Sequence, residues 1–291
     1  MGHGTEEVTP FLKTRRAALD AAALGLPDGP ARRRVRGLRR EEVAQLAGIS
    51  VDYYTRIEQG RAPSISDSVV DAVARALRLT PDEHAYLRNI TLPHRYAETT
   101  CCTADGPAAR ITRPTVRPQI LELLEAMDDT VPAVVFGPGL DILAWNRLAA
   151  RISFDYDTLP ERDLNSARLI FLHPDARTLY PDWPDVAAEA VATLRGEVGH
   201  YPDLFQVHSV ICDLQEASPE FRALWDTQSV LEGNHGTKRI RNPEVGELVL
   251  TYESLSLSGD PGQRLCTDTA PRGSVTEERL RTLASRVGVP G

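Results

Sequence analysis

Residues Leu38–Gly60 read LRREEVAQLAGISVDYYTRIEQG, two short helical patterns joined by Gly48-Ile49-Ser50. A helix pair joined by so tight a turn can lay its second helix in the major groove of DNA. That arrangement makes steric demands at fixed positions, counted here from Arg40. Ala44 is the small residue where the helices cross, and Gly48 stands at the turn, where a left-handed backbone favours glycine. Val43, Ala47, Ile49, Tyr54 and Ile57 take inward positions at the spacing of two packed helices. Ser50 is placed to cap the second helix, and Asp52 lies favourably in its first turn. An amphipathic hairpin with no DNA role would not need every one of these residues.

The outward positions then carry the chemistry. Ser50, Val51, Asp52, Tyr53, Thr55 and Arg56 lie on or near the exposed face of the second helix. Arg56 suits guanine bidentately, Tyr53 and Val51 suit thymine methyls, and Asp52 either accepts from a cytosine amino group or orients an arginine. Arg39, Arg40 and Arg61 flank the helix and are better placed for phosphates, which fix register without reading sequence. Arg32, Arg33, Arg34 and Arg36 form a basic run just upstream. It reads as a phosphate or minor-groove arm, with a solvated charge run as the bland alternative.

Charge is distributed in the same sense. The 291 residues carry a net charge of −8. Residues 1–95 hold 15 Lys+Arg against 12 Asp+Glu, whereas residues 96–291 hold 18 against 29. A basic head and an acidic body fit a molecule that meets phosphate at one end only. No apolar run of about 18 residues is long enough to span a membrane. The opening MGHGTEEVTP lacks the apolar core of a signal peptide, so a cytoplasmic protein, nucleoid-associated when on DNA, is expected. Cys101, Cys102, Cys212 and Cys266 show no zinc spacing and read as spectator thiols.

The coarse organisation is two-domain. A helix is expected at 10–23 with Pro10 near its first turn, then helices at 39–47, 51–59, 66–78 and 81–91. These make an all-α, five-helix head over residues 8–92. Residues 93–113 lack periodicity and read as a linker. A mixed second domain over 114–288 begins with a helix at 117–129. PAVVFGPGLDILAWN follows as a hairpin turning at Gly137-Pro138-Gly139. Helices are expected at 166–174, 182–196 and 218–230, then strands in TKRIRNP, GELVLTYESLSLS and QRLCTDTA, then a helix at 276–287. The fold class is α+β multidomain, and the second module could wrap a sheet around a pocket.

The stretch GLRREEVAQLAGISVDYYTRIEQGR, with the later LDILAWN, LYPDW, SPEFRALW, GTKRIRNPEVGELVLTYESL and DPGQRL, resembles the MmyB-like regulators of actinobacteria over roughly residues 10–285. The resemblance implies a phage-repressor-type helix-turn-helix and a C-terminal PAS-like sensor domain. It further implies a homodimer on an inverted-repeat operator, with long-chain fatty acids as the ligand class. In the phage-repressor type, a glutamate late in the recognition helix pairs with an arginine of the first helix. Here that predicts an Arg16–Glu58 pair, stabilising rather than DNA-reading.

The residues themselves say less about the ligand. Phe136, Trp145, Phe171, Trp183, Phe221 and Trp225 could line a pocket or form plain core. A carboxylate would need an anchor, for which His235, Lys238, Arg239 and Arg241, with Tyr252 on the next strand, are candidates beside a solvated strand edge. Neither a cofactor nor a metal is called for: His173, His200, His208 and His235 share no metal-ligand spacing. There is no H-E-x-x-H, nucleophile elbow, Walker loop or G-x-G-x-x-G after a strand, so no enzyme is expected. Two alternatives stay open: a second domain that only dimerises, and a haem- or flavin-binding sensor, which absorbance above about 350 nm would reveal.

Overall fold

The computed structural model describes residues 4–20, 37–62, 64–91, 113–127, 131–201, 204–231 and 235–285. The chain forms two compact units. One comprises residues 1–106 with the returning segments 195–204 and 224–232; the other comprises 107–194, 205–223 and 233–291.

The first unit is helical: α1 (Gly4–Ala18), α2 (Arg40–Ala47), α3 (Val51–Glu58), α4 (Asp67–Ala76) and α5 (Pro81–Thr91). Helix α1 begins upstream of Pro10 rather than at it, and Pro10 lies inside the helix. The apolar stripe explains the difference. Val8, Phe11 and Leu12 are buried at helical spacing, so packing on both sides of the proline overrides the lost backbone bond. They meet Leu38, Val43, Ala44, Tyr54, Ile57, Val70, Val73, Tyr86 and Leu87 in one core. Gly37 docks this core from below: a Cβ there would lie 2.6 Å from the Ala17 Cα. The Leu38 amide bonds the Arg16 carbonyl at 3.0 Å. The returning segments add Arg195, whose guanidinium is fully buried. It donates to Glu7 at 2.9 Å and to the Trp225 carbonyl at 2.6 Å, and lies 3.9 Å over the Trp225 ring.

The second unit is a five-stranded antiparallel sheet with helices. The strands are β1 (Ala133–Phe136), β2 (Ile142–Trp145), β3 (His235–Asn242), β4 (Gly246–Ser256) and β5 (Arg264–Thr269), in the order β2-β1-β5-β4-β3. The expected β1–β2 hairpin is present, its Gly-Pro-Gly forming a tight helical turn with Gly139 at φ 73°. Helix α6 (Pro118–Ala126) covers one sheet face, where Ile120 and Leu124 meet Ala133, Val135 and Leu265.

Between β2 and β3 the chain runs through α7 (Arg147–Ile152), α8 (Ser166–Leu172), α9 (Ala176–Leu179), α10 (Trp183–His200), α11 (Phe205–Ala217) and α12 (Pro219–Asp226). The last helix is α13 (Val275–Ser285). Helix α11 has no counterpart in the sequence reading. Its buried residues, Val207, Val210, Ile211 and Leu214, nevertheless follow the i, i+3, i+4, i+7 rule. The helix expected to reach 230 stops at Asp226.

Candidate nucleic-acid interface and sensor cavity

The α2–α3 turn forms as its residue types require. Gly48 takes the left-handed conformation at φ 68°. The amides of Gly48 and Ile49 close the end of α2 on the Gln45 and Ala44 carbonyls. The Ser50 hydroxyl accepts from the Tyr53 amide at 3.1 Å and starts α3. Tyr54 and Ile57 are buried, which turns Val51, Asp52 and Arg56 to solvent with Thr55 half-exposed beside them. Tyr53 is half-buried and its hydroxyl donates to the Ser64 carbonyl at 3.3 Å, so this ring is tied to the following loop. Arg39 and Arg61 are exposed. The basic run Arg32, Arg33, Arg34 and Arg36 lies outside the described residues, as do Cys101 and Cys102.

Beneath this face sits a buried carboxylate. The expected Arg16–Glu58 pair is present at 2.9 Å. Glu58 is fully buried, and its second oxygen accepts from Arg40 at 2.8 Å. Burial alone would push the carboxyl up. Hydrogen bonds and charge from Arg16 and Arg40 outweigh that and hold it below the usual carboxylate range. Burial and the neighbouring Glu58 raise the Tyr54 hydroxyl well above its ordinary value, so it stays protonated. Arg40, read from sequence as a phosphate contact, therefore also completes the pair that locks α3 onto α1 and α2.

In the second unit a cavity of about 140 Å³ opens against the sheet. Its walls come from Phe136 of β1, Ile170 of α8, Tyr180 at the end of α9, Val186, Glu189, Ala190 and Thr193 of α10, and the sheet residues Lys238, Tyr252, Ser254, Arg264 and Cys266. The sheet residues share one face because the register sets Gly236 opposite Tyr252, Tyr252 opposite Asp268, and Ser254 opposite Cys266. The Lys238 ammonium lies 2.9 Å from an Asp268 oxygen and 5.6 Å from the centre of the Tyr252 ring. Burial would lower Lys238; Asp268 outweighs it and keeps the lysine charged. The Tyr252 hydroxyl donates to Glu189. Burial pushes the Cys266 thiol up to about 11, so it is no nucleophile at neutral pH.

Of the residues proposed from sequence for the ligand, Phe136 and Tyr252 line this cavity, as does Lys238. The others are placed elsewhere. Trp145 bonds Asp157 at 3.1 Å and packs on Tyr156. Phe171 packs edge-on to both Trp183 and Phe221, and the Trp183 indole donates to the Ile170 carbonyl at 2.8 Å. Trp225 belongs to the first unit, under Arg195. His235 is exposed, and Arg239 pairs with Asp182 on the outer side of β3. Most of the large aromatics singled out from sequence are core; the cavity wall mixes apolar and aromatic residues such as Phe136, Ile170 and Tyr180 with the polar Glu189, Thr193, Lys238 and Arg264. Glu189, Thr193, Ser254 and Arg264 carried no sequence signal beyond their alternation or helical spacing.

A helical head with a solvent-facing recognition helix, followed by a cavity-bearing antiparallel module, defines a two-domain DNA-binding regulator with a ligand-sensing half. The comparisons agree. The helix-turn-helix domain family matches residues 11–87, and the MmyB-like transcription regulator ligand binding domain matches residues 116–283, more than half of the chain. The chain belongs to the MmyB-like transcription regulators. No curated protein matches it. Both matched families are regulator modules rather than enzymes. Among the described residues, no helix is long and apolar enough to cross a membrane.

Proposed function

We propose that this regulator binds an inverted-repeat operator as a homodimer in the cytoplasm, with half-sites about one DNA turn (~10 bp) apart. Its DNA-binding domain is residues 8–92, its linker 93–113 and its sensor 114–288. Arg56, Asp52 and Val51 read base edges from α3, and Arg39, Arg40 and Arg61 contact phosphates together with the upstream arginines. The sensor half dimerises and holds a small apolar or amphipathic molecule. That molecule changes operator affinity by binding the two dimer geometries unequally, since a ligand indifferent to them shifts nothing.

The observation that carries the reading is the division of α3. Its inner face is anchored by Glu58 between two arginines, and its outer face presents Val51, Asp52 and Arg56 unburied. Selection of binding sites from a random-sequence DNA pool tests it, with sedimentation of the protein on the selected site. Enrichment of a two-fold-symmetric sequence bound by two chains is expected. A pool that never enriches would overturn DNA recognition. Enrichment of an asymmetric site bound by one chain would overturn the dimer.

A further inference from the structure

We infer that Arg195 is a positioning residue for DNA recognition: it fastens the C-terminal end of α10 to α1, so that the helix carrying one wall of the sensor cavity also holds the DNA-binding head. The inference rests on the regulator reading above and names the residue through which a signal reaches α3.

Residues 195–204 and 224–232 belong to the first compact unit, although both fall inside the stretch matched by the ligand-binding family, residues 116–283. They are built into the head. Val230 packs against the core that holds Phe11, Tyr54 and Tyr86. A Cβ on Gly199 would lie 2.6 Å from the Tyr86 ring, and one on Gly196 would lie 2.9 Å from the Leu231 carbonyl oxygen. The end of α10 is thus glycine where α5 and residues 224–232 press closest. The Arg15 guanidinium of α1 donates to the Gln228 carbonyl and pairs with Glu83 at 2.9 Å.

Arg195 stands at the centre of this junction, fully buried. One nitrogen donates to Glu7 of α1 at 2.9 Å, another to the Trp225 carbonyl at 2.6 Å, and the guanidinium lies 3.9 Å over the Trp225 ring. The Tyr86 hydroxyl donates to the same Glu7 oxygen at 3.2 Å, which ties α5 to the pair. The Arg195 Nε has no acceptor among the described residues. A buried cation held in this way is a poor stabiliser, and an apolar side chain of similar volume serves a core at least as well. What a guanidinium supplies is direction, since its planar fork fixes several partners at once.

The two helices joined by Arg195 each lead to a functional face. Helix α1 also carries Arg16, which bonds Glu58 of α3 at 2.9 Å and the Leu38 carbonyl at 2.5 Å. Helix α10 carries Glu189, Ala190 and Thr193 on the cavity wall, and Thr193 stands two positions before Arg195. Over so short a span a helix moves as a rigid element, and rigid elements carry coupling between sites. Displacement of the wall residues is therefore felt by Glu7 and α1 through Arg195.

The test measures affinity of the full chain for a DNA site selected from a random pool, at one salt concentration, with the melting temperature recorded for every variant. Ala190→Leu adds side-chain volume to the cavity wall and stands in for an occupant. It should change operator affinity by about fivefold or more, the lower end of measured couplings. Arg195→Met should also change affinity by about fivefold or more, with the melting temperature within about 4 °C of wild type. The double variant should then match Arg195→Met within about twofold. A merely structural arginine would lower the melting temperature and leave the two substitutions additive. Additive effects, or an unchanged affinity in either single variant, would overturn the inference. If Arg195→Met does not fold, Glu7→Gln takes its place, since it keeps an acceptor oxygen and loses the charge. A pool that never enriches sinks the regulator reading itself, whereas an enriched operator with additive variants sinks only the role of Arg195.

Discussion

Glu58 in the first unit and Glu189 in the second are both carboxylates held inward on helices, and their surroundings differ in one respect. Glu58 is enclosed by two guanidiniums and fully buried. Glu189 takes one tyrosine hydroxyl and faces open volume. The first arrangement spends the carboxylate's acceptor capacity on fold; the second leaves the carboxylate on a cavity wall. Identical chemistry at the two positions should therefore give opposite phenotypes, and mutations can be ranked by how hard they strain that contrast.

The largest expected effect is Glu58→Ala. It leaves Arg16 and Arg40 without their anion and should lower stability by about 3 kcal/mol, read as the urea midpoint of the helical signal. The same carboxylate makes the head acid-sensitive. Its folded value is depressed, so its contribution is present above the unfolded glutamate value of about 4.3 and is lost as pH falls through the folded one. Melting followed from pH 6 to pH 3 should show that loss in wild type and its absence in Glu58→Gln.

Lys238→Met comes next. It strands Asp268, whose side chain is only 9% exposed, and should cost about 2 kcal/mol. Recovery on adding Asp268→Asn would confirm the pair, whereas additive losses would break the account of that wall. Arg40→Ala should be smaller in stability, about 1 kcal/mol, because the side chain is partly exposed and Arg16 remains. It should also reduce the salt slope of DNA binding by about one. A change in stability alone would restrict Arg40 to a structural role. Glu189→Gln should be the mildest, within about 0.5 kcal/mol of wild type in the absence of ligand. A larger loss would make Glu189 another Glu58.

The contrast also explains what could be read from residues alone. The helix-turn-helix was legible because helical repeat fixes which side chains meet within a short segment, whereas the Arg16–Glu58 pair joins residues of two separate helices and followed only from the resemblance to the phage-repressor type. The share of Arg40 in that pair was not, since an arginine at a helix start looks the same whether it faces phosphate or a buried carboxylate. In the second unit the strands of residues 235–269 and the hairpin at 133–145 were legible from alternation and turn residues. The cavity was not, because its wall depends on strand register that brings Lys238, Tyr252 and Cys266 onto one face from three separate strands. Bulk misled there: Phe171, Trp183 and Phe221 pack on one another and take no part in the cavity wall. Helix α11 was the opposite case, a regular apolar stripe that periodicity alone could have found.

The central claim is that the outer face of α3 reads DNA while its inner face only holds the helix in place. Arg56→Ala tests it most directly, measured as the ratio of affinities for a selected operator and a scrambled duplex at one salt concentration, with the melting temperature recorded alongside. The account predicts an unchanged melting temperature and a loss of about 1–3 kcal/mol on the operator alone, so that the ratio falls by about fivefold or more. An unchanged ratio would contradict it.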